Sequence, residues 1–130
     1  EQGHEHTLLF AKSDWWITDI DSFTNQTPSN LYIEALEDSQ VLYISKVDKE
    51  FAYANIAAVE KLFRIMTQKT HVALQRRLVD QLSKNADEAY EDFTAQYPEF
   101  AQRLSNIQIA AYLGISHEFL SKIRRKLASR

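Results

Sequence analysis

The side chains best suited to chemistry lie near the C-terminal end of the chain. If that end is helical, five polar residues share one face at i, i+4 and i+8 spacing: His117, Glu118, Ser121, Lys122 and Arg125. The Glu118 carboxylate could accept from a cytosine amino group, and the Lys122 ammonium could donate to guanine O6 or N7. Hydroxyl and guanidinium groups at Ser116, Ser121 and Arg125 suit phosphate oxygens. The face therefore predicts contact with a DNA major groove, although His117 could equally be an ordinary exposed first-turn side chain.

Two short helices must position this face. Asn106 can cap a first helix, residues 107–113, which Gly114 ends because glycine readily adopts positive φ. Ser116 can then cap the second helix, residues 117–128. A small core between them is expected from Ile109, Ala110, Leu113, Ile115, Leu120 and Ile123. The pattern predicts a helix-turn-helix, with Asn106 as a further candidate DNA contact; a plain helical hairpin is the alternative.

Charge is distributed unevenly along the 130 residues, whose net charge is −3. Residues 1–50 hold ten acids and three bases, whereas residues 103–130 hold six bases and Glu118 as the one acid. A basic end on an acidic body is typical of a nucleic-acid-binding module. The run Arg124-Arg125-Lys126 has a second explanation, because cations stabilise a helix C-terminus with or without DNA.

Composition excludes several other functions. The chain has no Cys, which excludes disulfides, thiolate metal sites and a cysteine nucleophile, and its two glycines cannot build a phosphate loop. No apolar run reaches the roughly 20 residues of a membrane span, so we expect a soluble, cytoplasmic protein. His4 and His6, with Glu1 and Glu5, are typical of a solvated tail, and no metal is expected.

The N-terminal third has the composition of β-strands. Runs rich in β-branched and aromatic residues lie at 6–10, 15–17, 30–35 and 40–45. Four short strands leave unpaired edges, so the preceding part of the protein or a partner chain should complete the sheet. Asp19 and Asp21 form a carboxylate pair, but nothing nearby supplies a nucleophile or an oxyanion hole, and we expect no enzyme.

The middle of the chain predicts a long helix. Residues 49–83 contain no Gly or Pro, and apolar residues recur there at helical spacing: Val59, Leu62, Phe63, Met66, Ala73, Leu74, Leu78 and Leu82. About thirty continuous residues would span roughly 45 Å, beyond the core of so small a protein, so a homodimer through this helix is expected. Lys69 and Arg76 interrupt one candidate seam, and a core helix over the β layer is the alternative. A further helix is predicted from Ala86 to Gln96, capped by Asn85.

The order of these elements resembles a known family. A β segment, a long helix and the segment Ile109-Ala-Ala-Tyr-Leu-Gly-Ile-Ser-His-Glu-Phe-Leu-Ser-Lys-Ile-Arg124 look like the Crp/Fnr (catabolite activator type) transcription regulators, over about residues 5–128. The resemblance implies an α+β fold in three parts: 1–48, the C-terminal part of a double-stranded, cyclic-nucleotide-binding-like β-roll sensor; 49–84, a dimerisation helix; and 85–130, a winged-helix-like DNA-binding domain without a wing. It also implies a cytoplasmic homodimer that binds a pseudo-palindromic operator in double-stranded DNA, with RNA polymerase as a further partner.

The resemblance also indicates an effector site. In the family, a Gly-Glu pair and a later Arg-Ser pair hold the ribose and phosphate of a cyclic nucleotide. The matching pairs here are Thr18-Asp19 and Pro28-Ser29, so Asp19 and Ser29 are candidate effector-binding residues. Pro28 offers neither charge nor donor to a phosphate, so a cyclic nucleotide is not expected, and a different effector, or none, is the alternative. The alternative function is an interaction or small-molecule sensor module that does not read DNA.

Overall fold

The computed structural model describes residues 6–129, most of which are helical. Within that range seven helices follow one another: α1 (Ile20–Asn25), α2 (Lys46–Asn55), α3 (Ala57–Ser83), α4 (Ala86–Gln96), α5 (Pro98–Arg103), α6 (Asn106–Leu113) and α7 (His117–Ala128). The chain divides into two units. One spans Ala11–Val72, and the other combines the described residues up to Phe10 with those from Ala73 onward. We call them the middle unit and the terminal unit.

The predicted α+β fold with a partial β-roll is wrong. The strand-like runs at 6–10, 15–17, 30–35 and 40–45 form no strand in the part of the chain that the structure describes. The side chains of Val41, Leu42 and Tyr43 are 81%, 98% and 92% exposed, and no neighbouring strand covers them within residues 6–129. A strand is stable only when a second strand takes its backbone hydrogen bonds, so high β-propensity alone does not produce a sheet.

A short helix occupies part of the region where the sheet was expected. Asp19 caps α1, and its carboxylate accepts hydrogen bonds from the backbone N–H groups of Asp21 and Ser22 at 3.2 and 3.3 Å. The helix ends at Gln26, which is left-handed with φ 55°. Local capping therefore determines the structure here.

The middle unit has one buried residue, Phe63 of α3. The Trp16 ring meets it edge-on at 5.1 Å between centroids, and the Tyr53 ring of α2 lies 5.6 Å away. The Lys49 ammonium stands 4.9 Å from the Phe63 centroid, in cation–π geometry. The single long helix predicted over this region is wrong at one point, because Ile56 is extended (φ −134°, ψ 97°) and separates α2 from α3.

The terminal unit has a continuous hydrophobic core. Phe93 of α4, Phe100 of α5, Ile109 and Ala110 of α6, and Leu120 of α7 are buried together. The predicted helix from Ala86 to Gln96 is confirmed with its N-cap: Asn85 accepts from the Glu88 N–H at 3.1 Å, and Glu88 accepts from the Asn85 N–H at 3.0 Å. This reciprocal capping box is a local signal that a sequence reveals well.

Candidate nucleic-acid interface

The first helix of the predicted motif begins one residue earlier than the sequence indicated. Ser105, not Asn106, is the N-cap of α6: its hydroxyl accepts from the Gln108 N–H at 3.2 Å, and Gln108 Oε1 accepts from the Ser105 N–H at 2.9 Å. This pair satisfies two backbone groups at once, which a lone asparagine cap would not. Asn106 is the first helical residue, and its side chain does not cap the helix.

The turn between the two helices forms as predicted. Gly114 is left-handed, with φ 73° and ψ 29°. Its N–H and the Ile115 N–H, the latter at 3.1 Å, both donate to the Ala110 carbonyl oxygen. Ser116 then caps α7 by accepting from the Phe119 N–H at 3.2 Å. Gly114 and Ser116 are therefore confirmed as the residues that end one helix and begin the next.

The core that holds the two helices together also agrees with prediction. Ile109 and Leu120 are fully buried, and Ala110 and Ile123 are 2% exposed. Leu113 and Ile115, the other expected members, are half-buried at the edge of this core. Because α6 and α7 pack on each other through these residues, the opposite face of α7 is fixed in direction.

That opposite face presents the predicted polar side chains. His117, Glu118, Lys122 and Arg125 are exposed, and Ser121 is half-buried. The His117 Nε2 atom lies 3.2 Å from Glu118 Oε1. Arg125 Nε donates to the Ser121 carbonyl oxygen at 3.3 Å. Lys122 makes neither a hydrogen bond nor an ion pair with another residue of the described range, so its ammonium projects into solvent.

Two neighbouring cations on α7 bind within the terminal unit instead. Arg124 donates to Asn106 Oδ1, which fastens α7 to the first turn of α6. Lys126 forms an ion pair with Asp87 in the first turn of α4. Asn106, predicted as a DNA contact, thus holds an arginine of its own chain. The basic run therefore divides: Arg124 and Lys126 orient the helix, whereas Lys122 and Arg125 face outward.

One exposed residue on α7 was missed by the sequence analysis. Phe119 is 47% exposed, although phenylalanine is usually covered. Phe119 is one turn before Ile123, at the edge of the stripe of Leu120, Ile123 and half-buried Leu127, so helical periodicity alone did not mark it as exposed. An exposed aromatic ring beside Lys122 can contact the methyl group of thymine.

The two candidate effector residues are brought together, but each is used locally. The Ser29 hydroxyl donates to Asp19 Oδ2 at 2.5 Å and accepts from the Leu31 N–H at 2.9 Å. The hydrogen bond from Ser29 is the main cause of the lowered pKa of Asp19. Burial opposes it, and the N–H groups of Ser22 and Asp21, with smaller effects, lower this pKa further. Their polar atoms hold the cap of α1 and the chain that follows it, and the β-roll that would present them to a nucleotide does not form.

Between residues 6 and 129, no group of three or more His, Cys, Asp or Glu residues is arranged to hold a metal ion. Glu1, His4 and Glu5 of the rejected metal cluster lie outside the described residues. In the same range no helix has the length and apolar character that crossing a membrane requires.

Comparisons with protein-family models, with curated proteins and with solved structures find no match to this chain.

Proposed function

We propose that this chain is a transcription regulator that binds double-stranded DNA by inserting α7 into the major groove. The observation that carries the proposal is the pair α6 and α7, joined at Gly114 and packed so that the polar face of α7 points away from the core. An α-helix with its side chains is about 10–12 Å across, which matches the roughly 12 Å width of the groove. The sequence resemblance of this segment to the Crp/Fnr regulators supports the same function.

Each outward side chain has a distinct part in this proposal. Lys122 donates to guanine, and Glu118 accepts from the amino group of cytosine. Arg125, farther along the helix, neutralises phosphate. The Ser121 hydroxyl donates its proton to the His117 carbonyl oxygen at 2.9 Å, which leaves it only acceptor capacity. Ser121 therefore suits a base amino group rather than a phosphate, which has no proton to give.

The regulator acts as a homodimer in this proposal, with α3 as the contact. Ile65, Val72 and Val79 are spaced seven residues apart along this 27-residue helix and are 37%, 43% and 55% exposed. A seven-residue apolar repeat is the pattern by which two helices pack side by side. Dimeric helix-turn-helix proteins bind half-sites about 34 Å apart, so an operator with that spacing is expected.

Sedimentation of the purified chain tests the dimer. The expected mass is twice that of one chain, and Val79→Glu should yield monomers because it places a charge in the apolar repeat. Thr67→Glu, an exposed change away from that repeat, should leave the dimer intact. A monomeric wild-type chain, or equal behaviour of the two variants, would contradict this contact.

Selection of binding sites from random duplex DNA, at two salt concentrations, tests DNA recognition. The expected result is an inverted repeat with half-sites one helical turn apart, roughly 10 base pairs, and an affinity that falls steeply as salt rises. Phosphate contacts release counterions, so binding that ignored salt would point to an apolar protein interface instead. No enrichment at either salt concentration would refute the proposal.

A matched pair of lysine substitutions assigns the base-reading role. Lys122→Ala should weaken binding to the selected site by about 1–3 kcal/mol and leave non-specific binding almost unchanged. Lys126→Ala is the control, because that ammonium pairs with Asp87 of the same chain. Fluorescence anisotropy with selected and scrambled duplexes measures both. An equal loss of affinity for the selected and the scrambled duplex would show that Lys122 does not contact base edges.

A further inference from the structure

Residues 7–10 attach to the end of α6 although they lie far from it in sequence. The Thr7 N–H donates to the Ala111 carbonyl oxygen at 3.2 Å. Arg77, in the part of α3 that belongs to the terminal unit, donates to the Thr7 carbonyl oxygen at 2.9 Å and also to that of Leu8. The same guanidinium donates to the Tyr112 carbonyl oxygen at 2.7 Å. One arginine thus joins this segment to the last turn of α6.

These contacts satisfy backbone groups that α6 itself leaves unpaired. The last four carbonyl oxygens of an α-helix have no partner within the helix. In α6 the turn supplies donors to Ala110, the Thr7 N–H supplies one to Ala111, and Arg77 supplies one to Tyr112. Two of these donors come from outside the helix-turn-helix, so the end of α6 is completed by distant parts of the chain.

Phe10 provides an aromatic anchor for the same segment. Its ring centroid lies 5.4 Å from that of Tyr112 and 5.7 Å from that of Phe100. Tyr112 also contacts Phe93, at 5.3 Å between centroids, so the wall that receives Phe10 continues into the buried core. Rings at these separations attract one another in tilted arrangements.

Arg77 is well suited to binding main-chain carbonyl groups. Its planar guanidinium presents several N–H donors at fixed angles, and it lies 4.1 Å from the Tyr112 ring centroid. Burial lowers the pKa of Arg77, since this charge is partly withdrawn from water. The carbonyl oxygens around it replace the lost hydration, and they would be supplied by any peptide that lay along the same path.

We propose that Arg77, the last carbonyl groups of α6 and the ring wall of Tyr112 and Phe100 form a peptide-binding site. Its ligand is a short peptide segment with two successive free carbonyl groups and a phenylalanine two residues after the second of them. Residues 7–10 fill the site within this chain. Recognition uses backbone atoms and one ring, so a free peptide with such a segment competes with the chain's own. This inference does not depend on DNA binding.

Amide hydrogen exchange on the intact wild-type chain provides the first test. The Thr7 amide should exchange at least tenfold more slowly than in a free peptide of residues 6–12, because it is hydrogen-bonded to Ala111. Phe10→Ala should abolish this protection but leave that of the Leu120 amide, which donates to the Ser116 carbonyl oxygen at 3.0 Å. If the Thr7 amide of the wild-type chain exchanged at the free-peptide rate, the proposal would be overturned.

Peptide binding to the Phe10→Ala chain provides the second test, with Leu120 protection showing that the chain is folded. A labelled peptide of residues 6–12 should bind this variant saturably. It should bind the wild-type chain at least tenfold more weakly, because the wild-type chain's own segment competes within the same molecule. The same peptide with alanine at position 10 should bind at least tenfold more weakly to the variant. Adding Arg77→Met to the variant should weaken peptide binding by a similar factor. Equal binding of the two peptides would overturn the site.

Discussion

The two units differ in what holds their helices in place. In the middle unit one side chain, Phe63, is buried, and the rings of Trp16 and Tyr53 gather around it. In the terminal unit, four helices each contribute at least one buried residue to a common core. Both units have well-capped helices, so capping alone does not make a core. What distinguishes the terminal unit is that its apolar faces meet one another.

This difference has a consequence for function. The proposed DNA recognition needs side chains held at fixed angles, and burial of Ile109 and Leu120 provides that rigidity for α7. The middle unit instead presents large apolar side chains such as Leu42 to solvent. We therefore expect stability to be concentrated in the terminal unit, and three predictions test this contrast.

The largest expected effect is a cavity in the terminal core. Leu120→Ala should reduce the free energy of unfolding by about 2–5 kcal/mol, because a fully buried leucine loses its contacts and leaves a void. Leu42→Ala is the matched change in the middle unit. It should alter the free energy of unfolding by less than about 0.5 kcal/mol, since Leu42 is exposed. Urea unfolding followed by circular dichroism measures both. Similar losses would show that the two units are equally packed.

An intermediate effect is expected from two serine caps. Ser105→Ala should cost about 1 kcal/mol of stability, because the capping box of α6 is lost from a helix that carries buried residues. Ser45→Ala removes the cap of α2, which has no buried residue, so it should fray that helix without moving the urea midpoint of the terminal unit. Amide exchange by residue separates the outcomes. If Ser45→Ala shifted the urea midpoint of the terminal unit, the expected difference between the two units would be contradicted.

The smallest effect concerns the pH dependence of the middle unit. Because the hydrogen bond from Ser29 lowers the pKa of Asp19 in the folded chain, the charged carboxylate is favoured by folding. The associated stability is present above the ordinary value of 3.8 and is lost as the pH falls through the lowered pKa. Ser29→Ala should raise the pKa of Asp19 toward that ordinary value in an NMR titration of the carboxyl group, whereas Ser39→Ala should not. An unchanged pKa of Asp19 in the Ser29→Ala chain would show that the hydrogen bond from Ser29 does not stabilise the charged carboxylate.

The sequence predicted best where structure is decided by neighbours. Gly114 and Ser116 were assigned correctly, and so was α4 with Asn85, because a cap or a left-handed turn involves residues three or four positions apart. The N-cap of α6 was placed one residue late, since Asn106 is a good cap in isolation and the reciprocal bond between Ser105 and Gln108 was overlooked.

Prediction failed where structure depends on distant partners. The runs at 30–35 and 40–45 have strand composition, but composition does not say whether a pairing strand exists, and within the described residues none does. The interruption of the long helix at Ile56 carries no Gly or Pro signal. The attachment of Phe10 to Tyr112 joins residues about a hundred positions apart, which no local pattern reveals.

The link between Thr7 and Arg77 also constrains the order in which the terminal unit is assembled. The two residues are 70 positions apart, and their hydrogen bond forms only after the intervening chain has closed a large loop. During synthesis residues 7–10 leave the ribosome before α6, and their site is complete only when Tyr112 has followed. The helix pair α6 and α7, made of short-range contacts, can fold within microseconds to milliseconds, as local helical structures do. Residues 7–10 are therefore synthesised before α6, yet they reach their place only after α6 has formed.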